Sequence, residues 1–363
     1  MHSRSRIVVI LCFSSSAPVQ PDTLIAMPRS VTISDVAELA GVHTATVSRA
    51  LNPSTQGQVS AETMRRVQKA AKTLGYVPNM MARSLRTKLS TTIGVLIPDL
   101  TNPIFPPLIR GIENYLAPRG YTALLANTDG RESVERTATT SLLERRVDGL
   151  IIATGLEDHP ILGDLYRQGV KIVMANRGAG AVPYPLVTGN DAAGVVAAVR
   201  HLKDLGHREI LHISGPANVS TSRIRANAMQ EACETEGLRL QTIQAAALTA
   251  DAGQTVMDQL LTERRTFTAV QTSNDLLALG VLRSLRRHGV DCPGDVSVVG
   301  FNDMPFAEEF SPGLTTVKVP LEEIGAQSAR ILIDAIESGK IEPVIVTLPV
   351  SLVPRASTGP ARP

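Results

Sequence analysis

The chain has 363 residues, 43% apolar and 19% charged, which fits a small module beside a larger two-part globular body and excludes a disordered polymer. Three widely spaced cysteines, Cys12, Cys233 and Cys292, form no CxxC pair, which argues against a disulfide framework or a zinc site and suits a reducing cytoplasm. The net charge of +2 is unevenly held: residues 28–88 carry nine Lys/Arg against three Asp/Glu, while the chain beyond them carries −5. A basic head on an acidic body is the footprint of a nucleic-acid module, although a solvated charged surface gives the same balance.

At the start, Arg4 and Arg6 precede the apolar run Ile7–Phe13 and then Ser14, Ser15, Ser16 and Ala17. The pattern imitates a secretory signal but is too short to span a bilayer, and no other apolar run is long enough for a membrane helix. Residues 1–27 are expected to be a disordered extension or the product of a start assigned too early, with Met27 as the natural first residue. The expected compartment is the cytoplasm.

The head begins at Pro28. Val36, Leu39 and Ala40 have the spacing of a buried helical face, Thr32 with Asp35 offers an N-terminal cap, and Gly41 ends the helix. A second helix follows over His43–Asn52, stopped by Pro53, with Val47 and Leu51 inward and Thr44, Ala45, Ser48 and Arg49 outward. Two short helices on a tight Gly turn can set the second into a DNA major groove. Arg49 can donate a bidentate pair to guanine, Ala45 can touch a thymine methyl, and Thr44 and Ser48 can bond bases or phosphates. Any small helical hairpin with a Gly turn would share the pattern. A third helix is expected from Ser60 to Leu74, closed by Gly75, and Tyr76–Arg86 reads as a Pro78 turn into a short helix too weak to form alone.

The segments V-T-I-S-D-V-A-E-L-A-G-V-H-T-A-T-V-S-R-A-L-N and G-Y-V-P-N-M-M-A-R-S-L resemble the head of the LacI/GalR family of regulators. The resemblance implies that Thr44, Ala45 and Arg49 read base edges and that Thr32, Ser48, Asn52 and Tyr76 support phosphate contacts, with His43, Asn79 and Ala82 beside them on the DNA side. It also implies that Leu85 on a hinge helix (residues 78–89) wedges into the minor groove. His43 stands where the family usually has a capping Ser, which should weaken the cap of the reading helix. The 53–58 loop is slightly long, and Met64 replaces a frequent Arg.

From Thr91 onward apolar strands alternate with amphipathic helices, the sign of doubly wound parallel sheets. Strands are expected at 93–97, 122–126, 149–152 and 172–174, then at 209–213, 269–271 and 296–299; two sets suggest two similar lobes. Polar residues cluster just after the strands, where such folds bind ligands. For Asp275 and Asp303, a helix-capping role is about as good a reading as a ligand contact.

N-P-I-F, R-G-I-E-N, L-L-E-R-R-V-D-G-L-I, H-L-K-D-L-G-H-R-E-I, S-N-D-L-L-A-L-G, D-V-S-V-V-G-F-N-D and L-T-T-V extend the resemblance over residues 28–357. The implied architecture is α/β: an all-α helix-turn-helix head (28–77) with a hinge helix, then a two-lobed body like the type I periplasmic binding proteins (90–363). The first lobe would hold 90–188 and 319–341, the second 189–318 and 342–363, with crossings near Asn190 and Val317. The resemblance suggests Asp99, Phe105, Arg177, Thr221, Arg223, Asn274 and Asn302 as effector contacts. Asn302 stands where many sugar-responsive members carry Asp, and Gly189 replaces another frequent Asp. There is no Trp, so an aromatic platform would be Phe105, Phe301 or Phe306, and Arg177 and Arg223 could pair with a carboxylate or phosphate.

No GxSxG, P-loop or HExxH motif occurs, so an enzyme is not expected, nor a cofactor or a metal. The expected protein is a homodimeric regulator, repressing by family habit, that binds a near-palindromic double-stranded DNA operator under control of a small polar effector such as a sugar or sugar acid. The competing expectation is a secreted solute-binding protein, for which Thr32–Leu85 would have no use.

Overall fold

The computed structural model describes residues 8–10, 31–51, 55–76, 89–155, 160–178, 180, 182–262 and 267–362. The chain divides into two compact units, Phe13–Ser90 and Thr91–Pro363 with Met1–Cys12.

In the first unit, helix α1 (Ile33–Ala40) opens with a reciprocal capping box: Thr32 Oγ1 accepts the Asp35 amide, and the Asp35 carboxylate accepts the Thr32 amide at 2.7 Å. It stops at Gly41, whose φ of +61° is the left-handed conformation that glycine adopts without strain. Helix α2 spans Thr44–Leu51, and α3 (Ala61–Leu74) is capped by Ser60 and closed by Gly75. Val36, Ala37, Ala40, Val47, Ala50, Val67, Ala70 and Ala71 form the core, with Leu51, Leu74 and Tyr76 packed against it. Leu39, expected inward, is 54% exposed, and Ala37 takes its place. The inward stripe of this short helix runs through 36, 37 and 40, which turns residue 39 away from the other two helices. The hinge helix expected at 78–89 lies almost wholly outside the described residues.

The second unit is built on two parallel sheets. Strands β1 (Val8–Ile10), β2 (Thr92–Ile97), β3 (Thr122–Asn127), β4 (Gly149–Ile152), β5 (Ile172–Ala175), β6 (Leu186–Gly189) and β12 (Ile345–Leu348) form one sheet, in the order β1-β3-β2-β4-β5-β6-β12. Strands β7 (Glu209–Ser214), β8 (Arg239–Gln244), β9 (Ala269–Thr272) and β10 (Ser297–Val299) form the other, ordered β10-β9-β7-β8. A ribbon of β11 (Thr316–Lys318) and β13 (Ser351–Val353) pairs antiparallel. Helices α4 (Phe105–Leu116), α5 (Glu132–Glu144), α6 (Pro160–Arg167) and α11 (Leu321–Ser338) belong to the first lobe. Helices α7 (Asp191–Asp204), α8 (Ser220–Glu236), α9 (Ala250–Thr262) and α10 (Asp275–Arg287) belong to the second.

Two expectations change. Val8–Ile10, expected within a disordered extension or an untranslated leader, runs parallel to β3 with Val8 opposite Leu124, where the apolar run meets the unpaired backbone of an edge strand. The segment 342–363, expected wholly in the second lobe, is divided. Strand β12 pairs with β6 in the first sheet, Ile345 opposite Leu186 and Leu348 opposite Gly189, so the last crossing falls at Pro349 and Val350. Edge backbone left open on β6 needs a partner, and the chain supplies it after α11.

Among the described residues, a helix pair in each lobe meets main chain to main chain at glycines. A Cβ on Gly111 of α4 would lie 1.9 Å from the Glu322 carbonyl oxygen of α11, and one on Gly325 would lie 2.0 Å from the Leu108 carbonyl oxygen. In the second lobe, a Cβ on Gly280 of α10 would lie 2.0 Å from the Ala250 carbonyl oxygen of α9. These crossings admit only glycine.

Candidate nucleic-acid interface and effector cleft

The outward face of α2 carries Ala45 and Arg49, both exposed and one turn apart, with Thr44 and Ser48 half-buried beside them. Among the described residues no acceptor holds the Arg49 guanidinium, while the Arg49 carbonyl accepts the Thr55 hydroxyl at 3.2 Å. The expected weakness of His43 as a cap is not what the geometry shows. His43 Nδ1 accepts the Ala45 amide at 3.2 Å and its carbonyl accepts the amides of Thr46 and Val47, so the imidazole occupies the position of a capping hydroxyl. Thr32 is exposed at the start of α1 and Tyr76 is half-buried against the three-helix core. Asn52, Asn79, Ala82 and Leu85 lie outside the described residues.

In the second unit, the loops after β2, β3, β4, β5, β7 and β8 enclose a cavity of about 550 Å³ at the carboxyl ends of both sheets. Its wall takes Asp99, Asn102, Glu135, Thr154 and Arg177 from the first lobe and Asn218, Val219, Leu248 and Thr249 from the second. Arg177 is delivered by a local turn. Asn176 takes φ +65°, which asparagine tolerates better than most residues, and Gly155 clears the space beside it, since a Cβ there would lie 2.2 Å from Arg177 Cβ. Arg177 Nη1 donates to the Thr154 carbonyl at 3.3 Å, and the Thr154 hydroxyl donates to Glu135 at 2.6 Å. Burial, and secondarily the charge of Arg225, push the Arg177 guanidinium down to about 10.

Arg225 anchors the second lobe's side. It donates to the Ser273 carbonyl at 2.6 Å, to Asp191 at 3.0 Å and to Asn302 Oδ1 at 3.3 Å, and lies 3.7 Å over the Phe301 ring. Burial raises the Asp191 carboxyl above its ordinary range, opposed by the Arg225 charge and hydrogen bond. Asp191 is the first residue of α7 after one crossing, and Asn302 is joined to another through the Val317 carbonyl. One guanidinium therefore ties together two of the segments that link the lobes.

Of the expected effector contacts, Asp99 and Arg177 stand in the cavity wall. Phe105 is fully buried in the core, because it opens α4 on the face turned to the sheet. Thr221, Asn274 and Asn302 are buried and outside the wall; Asn274 caps α10 through the Leu277 amide and donates to the Leu248 carbonyl. Asp275 is not the cap. Its carboxylate accepts the Met304 amide at 2.7 Å and the Thr316 hydroxyl, and burial raises it to about 6. Asp303 pairs with Arg355 at 2.8 Å. Arg223 is exposed, and the inward arginine of the R-I-R triplet is Arg225. Helical phase was the available signal: Arg225 falls four residues after Thr221 and three before Ala228, both buried, whereas Arg223 falls between them.

The comparisons with known proteins agree with this arrangement. Residues 32–79 match the model of bacterial regulatory proteins of the lacI family, and residues 199–358 match a periplasmic binding protein-like domain. A ribose operon repressor of Halalkalibacterium halodurans is 36% identical over 90% of this chain and 97% of its own length. The transcriptional repressor CytR of Escherichia coli is 32% identical over 91% of this chain and 96% of its own. A Lac repressor dimer bound to operator and the anti-inducer ONPF superposes with TM-score 0.82 at 28% identity, over 91% of this chain and all of that one. A regulator from Enterococcus faecium with bound ribose gives TM-score 0.66 at 31% identity, over 75% of this chain and all of that one. A helix-turn-helix head joined to a two-lobed body with a cleft, in a chain that shares its length with these repressors, belongs to the lacI family of bacterial regulatory proteins.

Proposed function

We propose that the protein is a cytoplasmic transcriptional repressor that binds a near-palindromic operator as a homodimer and answers to a small polar effector in its cleft. The observation that carries the reading is the outward face of α2, where the Arg49 guanidinium has no acceptor among the described residues and Ala45 lies one turn before it on a helix capped by His43. The repressor names of its relatives and the operator-bound Lac repressor dimer support it. Thr44, Ala45 and Arg49 face base edges, Thr32, His43, Ser48, Asn52 and Tyr76 face phosphates, and Asn79, Ala82 and Leu85 act at the hinge. Effector and operator affinities are coupled and reciprocal, since a ligand that favours one lobe arrangement changes the grip on DNA by the same factor that DNA changes its own. A solute-binding role leaves the head without a use.

The test is selection of an operator from random duplexes, followed by binding with Arg49→Ala. The variant should lose discrimination at one base position by about 1–3 kcal/mol. An equal loss on all sequences would make Arg49 a phosphate contact, and failure of the intact protein to enrich any sequence would end the repressor reading.

A further inference from the structure

Among the described residues, nothing balances one of the charges in the cleft wall. Arg177 is 7% exposed and stands in the cavity wall, yet among the described residues its side chain donates only to the neutral Thr154 carbonyl and its Nε–H has no partner. Among the described residues no carboxylate lies within ion-pair distance of it; the acids of the wall are engaged elsewhere. Asp99 accepts the Thr101 amide and hydroxyl, Asp129 pairs with Arg131 at 3.0 Å, and Glu135 accepts the Thr154 hydroxyl. The charge that Arg177 does feel is that of Arg225 on the opposite lobe, which has the same sign and already has Asp191. Desolvating an unpaired guanidinium is costly, and its planar fork of donors matches the geometry of a carboxylate or a phosphate. Asn102, Asn218 and Thr249, also in the wall, are neutral groups suited to hydroxyls.

We infer that the effector is an acid: a small polyhydroxylated molecule with one carboxylate or phosphate, whose charged end sits on Arg177 while its hydroxyls face Asn102, Asn218 and Thr249. The inference rests on the effector-cleft reading given above and narrows its ligand class. Closing the lobes on a neutral sugar expels water from Arg177 and leaves its charge buried without a counter-ion. Closing them on an acid supplies the counter-ion and removes the repulsion between the two arginines, so the anion itself favours the closed arrangement.

The experiment is isothermal calorimetry and thermal shift on the full-length protein. The panel sets aldopentoses and aldohexoses against their aldonates and terminal phosphates, with inorganic phosphate as the bare anion, using wild type, Arg177→Gln and Arg177→Lys. At least one acid should bind on the order of 10- to 100-fold tighter than its neutral parent, the size expected of hydrogen bonds to a charged group. Gln should abolish that preference, and Lys should keep its sign while weakening it, because a point charge replaces the fork. The unliganded melting temperatures show whether the variants fold, and the Lys variant preserves the test if Gln does not. Aldonates and phosphates as separate arms decide between carboxylate and phosphate. The inference is overturned if neutral sugars bind as tightly as their acids, if the preference survives in Gln, or if no acid stabilises wild type more than Gln. An operator titration of the same samples reports separately on the repressor reading, which stands or falls on sequence-selective DNA binding.

Discussion

Removing one partner of the Asp191–Arg225 pair should be the most damaging single change in the cleft. Both side chains are 4% exposed, so solvent does not screen the pair, and Asp191→Ala leaves a guanidinium buried without its carboxylate. Breaking such a pair costs about 3–5 kcal/mol. Arg225 keeps the Ser273 carbonyl, Asn302 and the Phe301 ring, which places the expected loss near the lower end, about 3 kcal/mol. For a body of this size each kcal/mol moves the midpoint by about 2–4 °C, so the melting temperature should fall by roughly 6–12 °C. Urea unfolding of wild type, Asp191→Ala, Arg225→Met and the double variant closes a cycle. The double variant should be more stable than Asp191→Ala alone, since no charge remains buried. A loss below about 1 kcal/mol for Asp191→Ala, or additive losses in the double variant, would refute the argument, because either outcome means that the pair carries no coupling.

Asp275 is raised from 3.8 to about 6, so the native state binds its proton more tightly than the unfolded chain does. The stability it contributes is therefore full below the unfolded value and is lost as pH rises through about 6, a change of roughly 3 kcal/mol. Wild type minus Asp275→Asn, measured by urea unfolding from pH 4 to 7, should decline along that window; a difference independent of pH would contradict it. Gly325→Ala forces a methyl onto the Leu108 carbonyl, and overpacking of this kind costs about 1–3 kcal/mol, read as a lower unfolding midpoint. His43→Ala removes the acceptor for the Ala45 amide and should destabilise the head by about 1 kcal/mol, seen as faster amide exchange in α2, while His43→Ser restores protection.

Much of this was legible in the chain. The Thr32–Asp35 box, Gly41 and Gly75 stop signals, and the apolar runs of β2, β4, β5, β7 and β9 are local features with one strong physical reading each. Strand β8 was missed because RLQTIQ lies at a sheet edge and is largely exposed, so it lacks the apolar run that marks the inner strands. The segment 342–363 reads as part of the second lobe, because the partner of β12, β6, lies more than a hundred residues earlier and no local pattern encodes that pairing. Within the site, Arg177 and Asp99 follow their strands closely enough to be placed by topology. Phe105 and Arg223 each lie on a helix, where inward or outward is decided by phase, so local sequence does not tell that Phe105 packs into the core and Arg223 is exposed. The Arg225 network joins residues 191, 225, 273 and 302, a convergence that exists only once the lobes are folded.

The glycine crossings also bear on how a message leaves the cleft. Where Gly111 meets Glu322 and Gly280 meets Ala250, helix backbones touch directly, with no side chains between them to reorient and absorb a push. Each lobe is in this respect a stiff plate, and compliance is concentrated in the three narrow crossings. A small rotation started by a ligand at those crossings is therefore not dissipated inside the plates; it arrives at their far edges as displacement, as the arm of a lever amplifies motion near its pivot.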